Sequence, residues 1–287
     1  MNVYLNGVFM PLAEARIPVL DRGFIFGDGV YEVIPVYSRK PFRIRQHLQR
    51  LQASLAAIRL DAPHDLAQWE ALVGQLVAQQ DVDDQSVYIQ VTRGAPAPGQ
   101  PLRDQVIPAD ARPTVFMFAQ PLLTASPAQR AAGVSAVTAA DLRWQRCDIK
   151  SIALLANVLL RQQAVDAGCA ETVMLRDGWL TEGSASNIFV VKDGVLRAPP
   201  PSNLMLTGVT YHLVLELAAQ HGIAHEVRAI SEAELRAADE VWMTSSTREI
   251  MPIVSLDGVA VGAGVAGPLA RQMDGLYQTF KQEVMRA

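Results

Sequence analysis

A lysine stands where a polar segment of the sequence meets an apolar one. Lys150 follows the polar and charged run RWQRCD at 143–148 and precedes a largely apolar stretch, 151–167, that we predict to be a helix. We therefore expect Lys150 to be partly buried, and burial disfavours the ammonium form of a lysine. A neutral amine is the form that reacts with an aldehyde cofactor to give a Schiff base. Taken alone, however, a lysine before a helix is more often a solvated charge.

A carboxylate lies among small hydroxyl residues in the run TEGSASN at 181–187. We predict a loop here, directly before a strand, and such a loop can approach a ligand closely. A carboxylate aimed at a pyridine nitrogen keeps that nitrogen protonated and strengthens the ring as an electron sink. The same run also fits a turn in which Glu182 is solvated while Ser184 and Asn187 cap backbone groups.

Three further features suit a phosphate. The run LTGVT at 206–210 leads into a predicted helix, whose free N–H groups and dipole favour an anion. The run TSST at 244–247 ends a predicted strand with four successive hydroxyls. Arg50, on another predicted helix, could hold a phosphate through two parallel hydrogen bonds. A plain helix start, capping hydroxyls and a solvated arginine explain the same features.

Hydrophobic periodicity predicts the elements that would position these groups. The predicted strands are 3–5 and 8–10, joined as a hairpin by Asn6-Gly7, then 30–37, 86–92, 115–118, 134–138, 171–175, 187–191 and 239–244. The predicted helices are 44–60, 64–80, 151–167, 209–221, a short one begun by the capping-box pair Ser231 and Glu234, and 268–285. The stretch 94–113, rich in Pro and Gly, is predicted to be a long loop, which is usually functional or mobile.

These elements predict a mixed fold, α+β or α/β, rather than a sandwich or a bundle. The 287 residues, half of them apolar, suffice for two domains with separate cores. Polar and small residues separate two patterns near 120–127. We therefore predict a smaller N-terminal domain over 1–120, a linker over 121–127 and a larger C-terminal domain over 128–287.

Composition argues against several classes of protein. A net charge of -4 and a pI near 5.8 argue against nucleic acid as a partner, because phosphate neutralisation needs clustered Lys and Arg. Cys147 and Cys169 suggest neither a disulfide framework nor a metal site, and we expect reduced, buried thiols. We also expect no membrane partner and a cytoplasmic protein. The first residues lack the pattern of a secretory signal, and no apolar run approaches membrane-spanning length.

In their order along the chain, these segments resemble the pyridoxal-phosphate enzymes that include D-amino-acid aminotransferases, branched-chain aminotransferases and aminodeoxychorismate lyases. The resemblance extends from DRGFIFGDGVYE at 21–32 to TSSTREI at 244–250. The runs CDIKS at 147–151 and TEGSASN at 181–187 are similar to the D-amino-acid aminotransferases in particular. The resemblance implies the two-domain class IV fold (fold type IV) with pyridoxal 5′-phosphate between the domains. It also implies a homodimer whose partner helps to close the substrate site.

The resemblance implies a role for each matching residue. Lys150 matches the Schiff-base lysine, Glu182 the partner of the pyridine nitrogen, and Tyr31 a substrate-side tyrosine, and these three form the predicted catalytic group. The predicted cofactor contacts are Arg50, Gly208, Val209, Thr210, Ser246 and Thr247 at the phosphate and Leu206 under the ring. The implied reaction moves an amino group between a D-amino acid, such as D-alanine, and a 2-oxo acid, and Lys150 moves the Cα proton.

The substrate side departs from the family pattern. Pro98 and Gln100 stand where the D-amino-acid enzymes carry an arginine and a histidine that hold the substrate carboxylate. Arg248 replaces a small residue, and Tyr211 stands where a basic residue is more common. Our hypothesis is that Arg248 supplies the lost carboxylate contact. Pairing with Glu249, or exposure to solvent, explains Arg248 equally well.

Other readings of the same residues stay open. A branched-chain L-aminotransferase, an amine transaminase or an aminodeoxychorismate lyase would use the same lysine and glutamate. A catalytically silent cofactor-binding protein could share the fold. His47, one helical turn before Arg50, could support the phosphate site or be a structural histidine.

Overall fold

The structure, a computed structural model, describes residues 1–110 and 112–287. The chain forms two compact units: unit 1 comprises Met1–Leu122 and Ile149–Leu154, and unit 2 comprises Leu123–Asp148 and Leu155–Ala287. The sequence assigned all of 128–287 to one C-terminal domain. Ile149–Leu154, which includes Lys150, instead belongs to unit 1. The assignment of 1–120, 121–127 and 128–287 as domains and linker stays a prediction.

An antiparallel sheet forms the framework of unit 1. Its strands are β1 (Asn2–Leu5), β2 (Val8–Pro11), β3 (Gly29–Tyr37), β4 (Lys40–Pro41), β5 (Gln85–Thr92) and β6 (Thr114–Pro121). Among residues 1–110 and 112–287 these six pair in the order β2-β1-β6-β5-β3-β4. The predicted hairpin is confirmed, because Asn6 and Gly7 both take the positive φ angles (48° and 98°) that a tight hairpin turn requires.

Helices cover one face of this sheet. They are α2 (Ile44–Ala57) and α3 (Leu66–Ala78), preceded in the chain by a 3-10 turn (Leu12–Glu14) and the short α1 (Arg22–Phe26). Leu48 and Leu51 of α2 and Trp69 of α3 are fully buried in one cluster with strand residues such as Ile34 and Ile89. The apolar stripes at helical spacing thus form the core of unit 1.

The segment that carries Lys150 is extended, not helical. The Tyr31 N–H donates to the Lys150 carbonyl at 2.9 Å, and the Ile152 N–H donates to the Gly29 carbonyl at 3.1 Å. The helix predicted over 151–167 therefore begins only at Leu155. The prediction was wrong for 151–154 because hydrogen bonds to β3 take the place of the first helical turn.

A larger mixed sheet forms the framework of unit 2. Its strands are β7 (Val134–Ala140), β8 (Glu171–Arg176), β9 (Trp179–Gly183), β10 (Asn187–Lys192), β11 (Val195–Ala198), β12 (His225–Val227), β13 (Glu240–Ser245), β14 (Glu249–Leu256) and β15 (Val259–Ala260). In the described part of the chain they follow the order β12-β11-β10-β13-β14-β7-β8-β9, with β15 beside β14. Glu182 lies in β9, so the loop predicted over 181–186 is partly a strand.

The helices of unit 2 flank this sheet. They are α4 (Pro127–Ala132), α5 (Leu155–Asp166), α6 (Val209–Gln220), α7 (Glu232–Arg236) and α8 (Pro268–Phe280), and a π-helical turn (Lys281–Met285) follows. The predicted capping box is confirmed: Ser231 Oγ accepts the Glu234 N–H at 3.2 Å, and the Glu234 carboxylate accepts the Ser231 N–H at 3.0 Å. This capping fixes where α7 begins.

Several candidate features are absent from residues 1–110 and 112–287. No helix there is long and apolar enough to span a membrane. No group of three or more His, Cys, Asp or Glu side chains in that part could hold a metal ion. Cys147 and Cys169 are free thiols, Cys147 being buried and Cys169 half-buried. Burial raises the pKa of Cys147 to about 11, which makes this thiol a poor nucleophile.

Candidate active site

Lys150 is half-buried, and its backbone is held on both sides. Its carbonyl accepts the Tyr31 N–H, and its own N–H donates to Ser54 Oγ of α2 at 3.2 Å. The Lys150 ammonium nitrogen lies 4.0 Å from the centre of the Tyr31 ring. The predicted partial burial is confirmed, and the flexible side chain projects from a fixed backbone.

Arg50, the predicted phosphate ligand, belongs to a buried ionic cluster in unit 1. The Glu32 carboxylate of β3 accepts hydrogen bonds from Arg50 Nε at 2.9 Å and Arg50 Nη2 at 2.6 Å. It also hydrogen-bonds to His47 Nδ1 at 3.0 Å. The Glu32 side chain is fully buried. This bidentate geometry fixes the plane of the guanidinium.

The electrostatics of this cluster keep Glu32 ionised. Burial raises the pKa of Glu32, but Arg50 and His47 together lower it well below its ordinary value. Burial lowers the pKa of His47 despite the attraction of Glu32. Within the described residues, His47 Nε2 is buried without a hydrogen-bond partner. The hydrogen bonds of this cluster link His47 to Arg50 through Glu32. The predicted role of His47 in supporting the phosphate site stays a prediction.

Glu182 is the corresponding carboxylate of unit 2. One oxygen accepts Arg143 Nη1 at 2.5 Å and the Leu206 N–H at 3.2 Å. The other lies 3.3 Å from Asn187 Nδ2. Glu182 is 5% exposed, which excludes the solvated turn that the sequence left open.

Arg143 is shared between two carboxylates. Asp141 accepts Arg143 Nε and Nη2, both at 2.9 Å, and also Thr181 Oγ1 at 3.0 Å. Arg143 therefore neutralises Glu182 only in part. Burial outweighs the attraction of Arg143 and raises the pKa of Glu182 to about 7. A carboxyl group with such a pKa can both hold and release a proton near neutral pH.

Asn187 connects Glu182 to the segment before α6. Its Nδ2 donates to the Leu206 carbonyl at 2.9 Å, and its Oδ1 accepts the Gly208 N–H at 3.0 Å. A Cβ atom on Gly208 would lie 2.6 Å from Asn187 Oδ1, so only glycine fits there without a shift. Asn187 thus brings together Glu182, Leu206 and Gly208, to which the resemblance gave cofactor contacts, and these roles stay predictions.

The helix α6 begins directly after this segment. Gly208 is the N-cap residue, and no side chain of the described residues caps the helix. The first-turn residues Val209 and Thr210 have N–H groups with no partner inside the helix. A 12-residue helix with an uncapped N-terminus can bind an anion.

Residues 246–248 form the turn between β13 and β14. Ser245 pairs with Glu249 across the hairpin, and the Arg248 N–H donates to Ser245 Oγ at 3.1 Å. Ser246 and Thr247 lie at the tip, half-buried and exposed respectively. In the described chain, Thr244 Oγ1 is buried without a partner. The turn therefore carries hydroxyls that a ligand could use.

The residues predicted on the substrate side differ in burial and in their hydrogen-bond partners. Gln100 is bound locally, since its side-chain oxygen accepts the Ala97 N–H at 3.2 Å. Arg248 is half-buried, and its predicted alternative partner Glu249 binds Lys281 and Gln278 instead. Tyr211 is buried, and its hydroxyl donates to the Pro199 carbonyl at 2.8 Å. Tyr211 therefore has a structural contact.

Sequence reasoning missed the partners of the predicted residues. Glu32 alternates with the core residues Val30 and Ile34, so a charge at a buried strand position was the available signal. Arg143 stood in the polar run before Lys150 and was not assigned a role. Tyr31, Arg50 and Lys150 lie in unit 1, and the other predicted site residues lie in unit 2.

Known proteins resemble the chain over nearly its whole length. A sequence model of the family described as "Amino-transferase class IV" matches residues 29–256. The D-alanine aminotransferase of Bacillus licheniformis is 40% identical over 278 residues, covering 97% of this chain and 96% of that protein. That of Listeria monocytogenes serotype 1/2a (strain 10403S) is 38% identical over 288 residues, covering 100% of this chain and 97% of that protein.

A solved structure resembles the fold as a whole. The branched-chain aminotransferase of the thermophilic archaeon Thermoproteus uzoniensis with norvaline matches with a TM-score of 0.87 and 27% identity. The match covers 100% of this chain and 97% of that chain. The similarity therefore includes both units.

Proposed function

Since the chain belongs to the class IV aminotransferases, we propose that it uses pyridoxal 5′-phosphate to move an amino group between a D-amino acid, such as D-alanine, and a 2-oxo acid. The D-specific part of the proposal is supported by relatives named D-alanine aminotransferase at 38–40% identity. The cofactor part is supported by the contacts of Lys150 and Glu182.

The observation that carries the proposal is the environment of Glu182. A carboxyl group whose pKa is raised to about 7 and which is held by Arg143 and Asn187 suits a basic pyridine nitrogen. At neutral pH it can give its proton to such a nitrogen and stay beside it as a carboxylate. An ordinary buried ion pair would instead lower the pKa of its carboxyl group, as Glu32 illustrates.

The donors on this chain fit the remaining groups of the cofactor. An aldehyde requires an amine, and Lys150 is held half-buried by β3 and α2. A phosphate accepts hydrogen bonds from N–H and O–H donors, and the uncapped start of α6 offers N–H groups while Ser246 and Thr247 offer hydroxyls in the turn after β13. We therefore propose that these residues hold it: Lys150, Glu182, Arg50, Leu206, Gly208, Val209, Thr210, Ser246 and Thr247.

When bound, pyridoxal 5′-phosphate supplies an aldehyde that takes up the amino group and a ring that accepts electrons from Cα. Lys150 would hold the aldehyde through Nζ, and the same amine, when free, would carry the Cα proton of the substrate. The fixed Lys150 backbone limits the positions that this amine can reach.

Glu182 would hold a proton for the ring nitrogen of the cofactor. Arg143 keeps Glu182 in place, and Asp141 holds Arg143 through two further hydrogen bonds. Because Asp141 takes much of the charge of Arg143, Glu182 keeps a higher affinity for its proton than a fully paired carboxylate would. Burial thus raises the pKa of Glu182, and the sharing of Arg143 with Asp141 limits the attraction that opposes it.

Arg50 contributes positive charge to the phosphate end. Glu32 fixes its guanidinium through Nε and Nη2, so that little side-chain entropy is lost when an anion binds. The start of α6 is likewise proposed to offer backbone donors to a phosphate.

On the substrate side we propose Tyr31 and Arg248. The Tyr31 ring lies beside the Lys150 amine and can limit where a substrate lies relative to it. Arg248 is proposed to bind the substrate carboxylate, because its planar donors can make two parallel charged hydrogen bonds. Its place beside Thr247 supports this role.

We further propose a homodimer. In α5, Leu155, Val158 and Leu159 are 73%, 60% and 58% exposed, and exposed apolar side chains at helical spacing are typical of a contact surface. A second copy of the chain is the proposed occupant. Light scattering should give about twice the 31.2 kDa mass of one chain, and a mass of one chain would contradict the proposal.

A donor panel tests the proposed function. D- and L-amino acids and simple amines are each supplied with pyruvate or 2-oxoglutarate, and keto-acid formation is followed. The proposal predicts turnover with D-alanine well above that with L-leucine or a primary amine. Preference for L-leucine would instead indicate a branched-chain aminotransferase, which the similarity to the Thermoproteus uzoniensis structure favours as second candidate. No turnover with any donor would indicate a silent cofactor-binding protein.

A further inference from the structure

Glu249 occupies an unusual backbone conformation for a residue with a side chain. Its φ angle is +55°, in the left-handed region where glycine or asparagine is usual. It is also fully buried. A buried carboxylate in a conformation that disfavours any Cβ indicates that the side chain makes contacts which offset the cost.

Those contacts come from the C-terminal part of the chain. Lys281 Nζ donates to Glu249 Oε1 at 2.6 Å, and Gln278 Nε2 of α8 donates to Oε2 at 2.8 Å. Arg130 of α4 lies 3.7 Å from the same carboxylate. The Lys281 side chain is 8% exposed, so this ion pair is shielded from water. Glu249 is therefore fixed by two helices.

Glu249 also closes the turn that carries Ser246 and Thr247. It pairs with Ser245 across the hairpin, which leaves three residues, 246–248, to reverse the chain. Short hairpin loops commonly include a left-handed residue, and Glu249, directly after this loop, takes that conformation. Whatever holds Glu249 therefore limits where the Ser246 and Thr247 hydroxyls can lie.

We propose that Glu249 is a positioning residue for the cofactor phosphate, held in place by Lys281 and Gln278 of the C-terminal helical segment. This inference rests on the proposed function, which assigns Ser246 and Thr247 to that phosphate. Glu249 itself does not touch the ligand. It fixes the turn whose hydroxyls do.

Removing the charge of Glu249 changes phosphate affinity in opposite directions if Glu249 positions the turn and if it acts only through its charge. Glu249→Gln removes a negative charge two residues from the proposed phosphate contact Thr247. Electrostatics alone predicts that this change strengthens the binding of an anion. Positioning predicts the opposite, because Lys281 and Gln278 donate to different oxygens of Glu249, and the amide replaces one of these oxygens with an NH2 group that cannot accept.

The test measures affinity for two cofactor forms that differ only in the phosphate. Enzyme stripped of cofactor is titrated with pyridoxal 5′-phosphate and with pyridoxal, and binding is followed by visible absorbance. We expect Glu249→Gln and Lys281→Met to weaken pyridoxal 5′-phosphate binding about tenfold, as loss of a supporting contact typically does. Pyridoxal binding should stay unchanged. Lys281→Arg, which keeps the charge and a donor, should restore most of the affinity.

Two further variants guard against a trivial loss of stability. Glu249→Gly combined with Lys281→Met suits the backbone angle and removes both members of the buried ion pair, so it should fold and still bind pyridoxal 5′-phosphate weakly. Glu234→Gln makes the same chemical change in a carboxylate 2.6 Å from Arg228 at the start of α7 and should leave both affinities unchanged.

The outcomes distinguish this inference from the proposed function. If Thr247→Val does not weaken pyridoxal 5′-phosphate binding, the proposed phosphate contact fails, and this inference fails with it. If Thr247→Val weakens binding while Glu249→Gln leaves it unchanged or tightens it, only the positioning role is overturned. Equal losses for pyridoxal and pyridoxal 5′-phosphate would show a general structural defect instead and would also overturn it.

Discussion

Two buried glutamates of this chain show opposite acid strengths. Glu32 in unit 1 and Glu182 in unit 2 both hydrogen-bond to an arginine, at 2.6 Å and 2.5 Å. The neighbours of Glu32 lower its pKa well below the ordinary value, whereas the pKa of Glu182 is raised to about 7. Burial raises both, so the partners must account for the difference.

The two glutamates differ in the number of arginine nitrogens that donate to them. Glu32 binds Arg50 through both of its oxygens and also has His47 beside it. Glu182 receives one nitrogen of Arg143, while Asp141 binds two others. The bidentate ion pair with Arg50 keeps Glu32 charged. Because Arg143 is shared with Asp141, Glu182 stays able to exchange a proton. The same residue types thus serve a structural role in unit 1 and a proposed catalytic role in unit 2.

The largest effect is expected when the proton carrier itself is removed. Lys150→Ala should lower turnover by about four powers of ten, the upper range for loss of a general acid–base group. The fold should persist, because the contacts of Lys150 to β3 and α2 use its backbone. Steady-state turnover with D-alanine and pyruvate, with circular dichroism, checks this. Lys192→Ala, at an exposed ion pair with Asp239, is the control and should keep full activity.

The next largest effect separates the two glutamates. Glu182→Gln should lower kcat by about two to three powers of ten with the cofactor still bound, because a neutral amide stabilises a pyridinium poorly. Glu32→Gln should mainly weaken cofactor binding, since it releases Arg50. Measuring kcat at saturating cofactor distinguishes them. Equal losses of kcat in both variants would contradict the different roles of Glu182 and Glu32.

A substrate-side change should leave both glutamates unaffected. Arg248→Ala should raise KM for D-alanine by about one to two powers of ten, as expected for a lost charged hydrogen bond. Cofactor affinity should change little. The control is a primary amine without a carboxylate, titrated in parallel. An equal loss for both donors, or no loss for D-alanine, would exclude Arg248 as the carboxylate contact.

The smallest effects concern stability, and the two glutamates should show opposite pH dependence. The pKa of Glu182 is raised from 4.5 to about 7, so its contribution is present below pH 4.5 and is lost as the pH rises toward 7. Relative to Glu182→Gln, the wild type should lose up to about 3 kcal/mol of unfolding free energy over that window.

Glu32 should behave in the opposite sense. Its pKa is lowered below 4.5, so its contribution is present above pH 4.5 and is lost as the pH falls through the lowered pKa. Urea unfolding of cofactor-free wild type, Glu32→Gln and Glu182→Gln between about pH 2 and 8 measures both slopes, that of Glu32 below pH 4.5 and that of Glu182 above it. Slopes of the same sign would contradict the assignment of one paired and one proton-exchanging glutamate.

The sequence predicted local elements better than it predicted partners. The helices at 44–57 and 66–78 follow their apolar stripes, and the first hairpin follows Asn6-Gly7. The extended segment at Lys150 was missed because its bonds to β3 join positions more than a hundred residues apart, which periodicity cannot register. The short strands β9, β11 and β12 were missed because three to five residues carry too little pattern.

In the candidate site, too, the sequence predicted residue types better than it predicted their partners. The types of Lys150, Glu182 and Arg50 suggested their chemistry, and the order of the motifs made the family resemblance specific. The acid strength of Glu182 could not be predicted, because it depends on Asp141 competing for Arg143. Such competition is a property of three-dimensional contacts, not of spacing along the chain.

The most direct test of the account is to locate the cofactor on the chain. The purified enzyme is reduced with borohydride, digested and examined by mass spectrometry, which marks the lysine that held the aldehyde. Of the four lysines, Lys40, Lys150, Lys192 and Lys281, only Lys150 should carry the label, and D-alanine added before reduction should abolish it, whereas L-leucine should not. Label on another lysine, or label at Lys150 that D-alanine leaves unchanged while L-leucine removes it, would contradict the account.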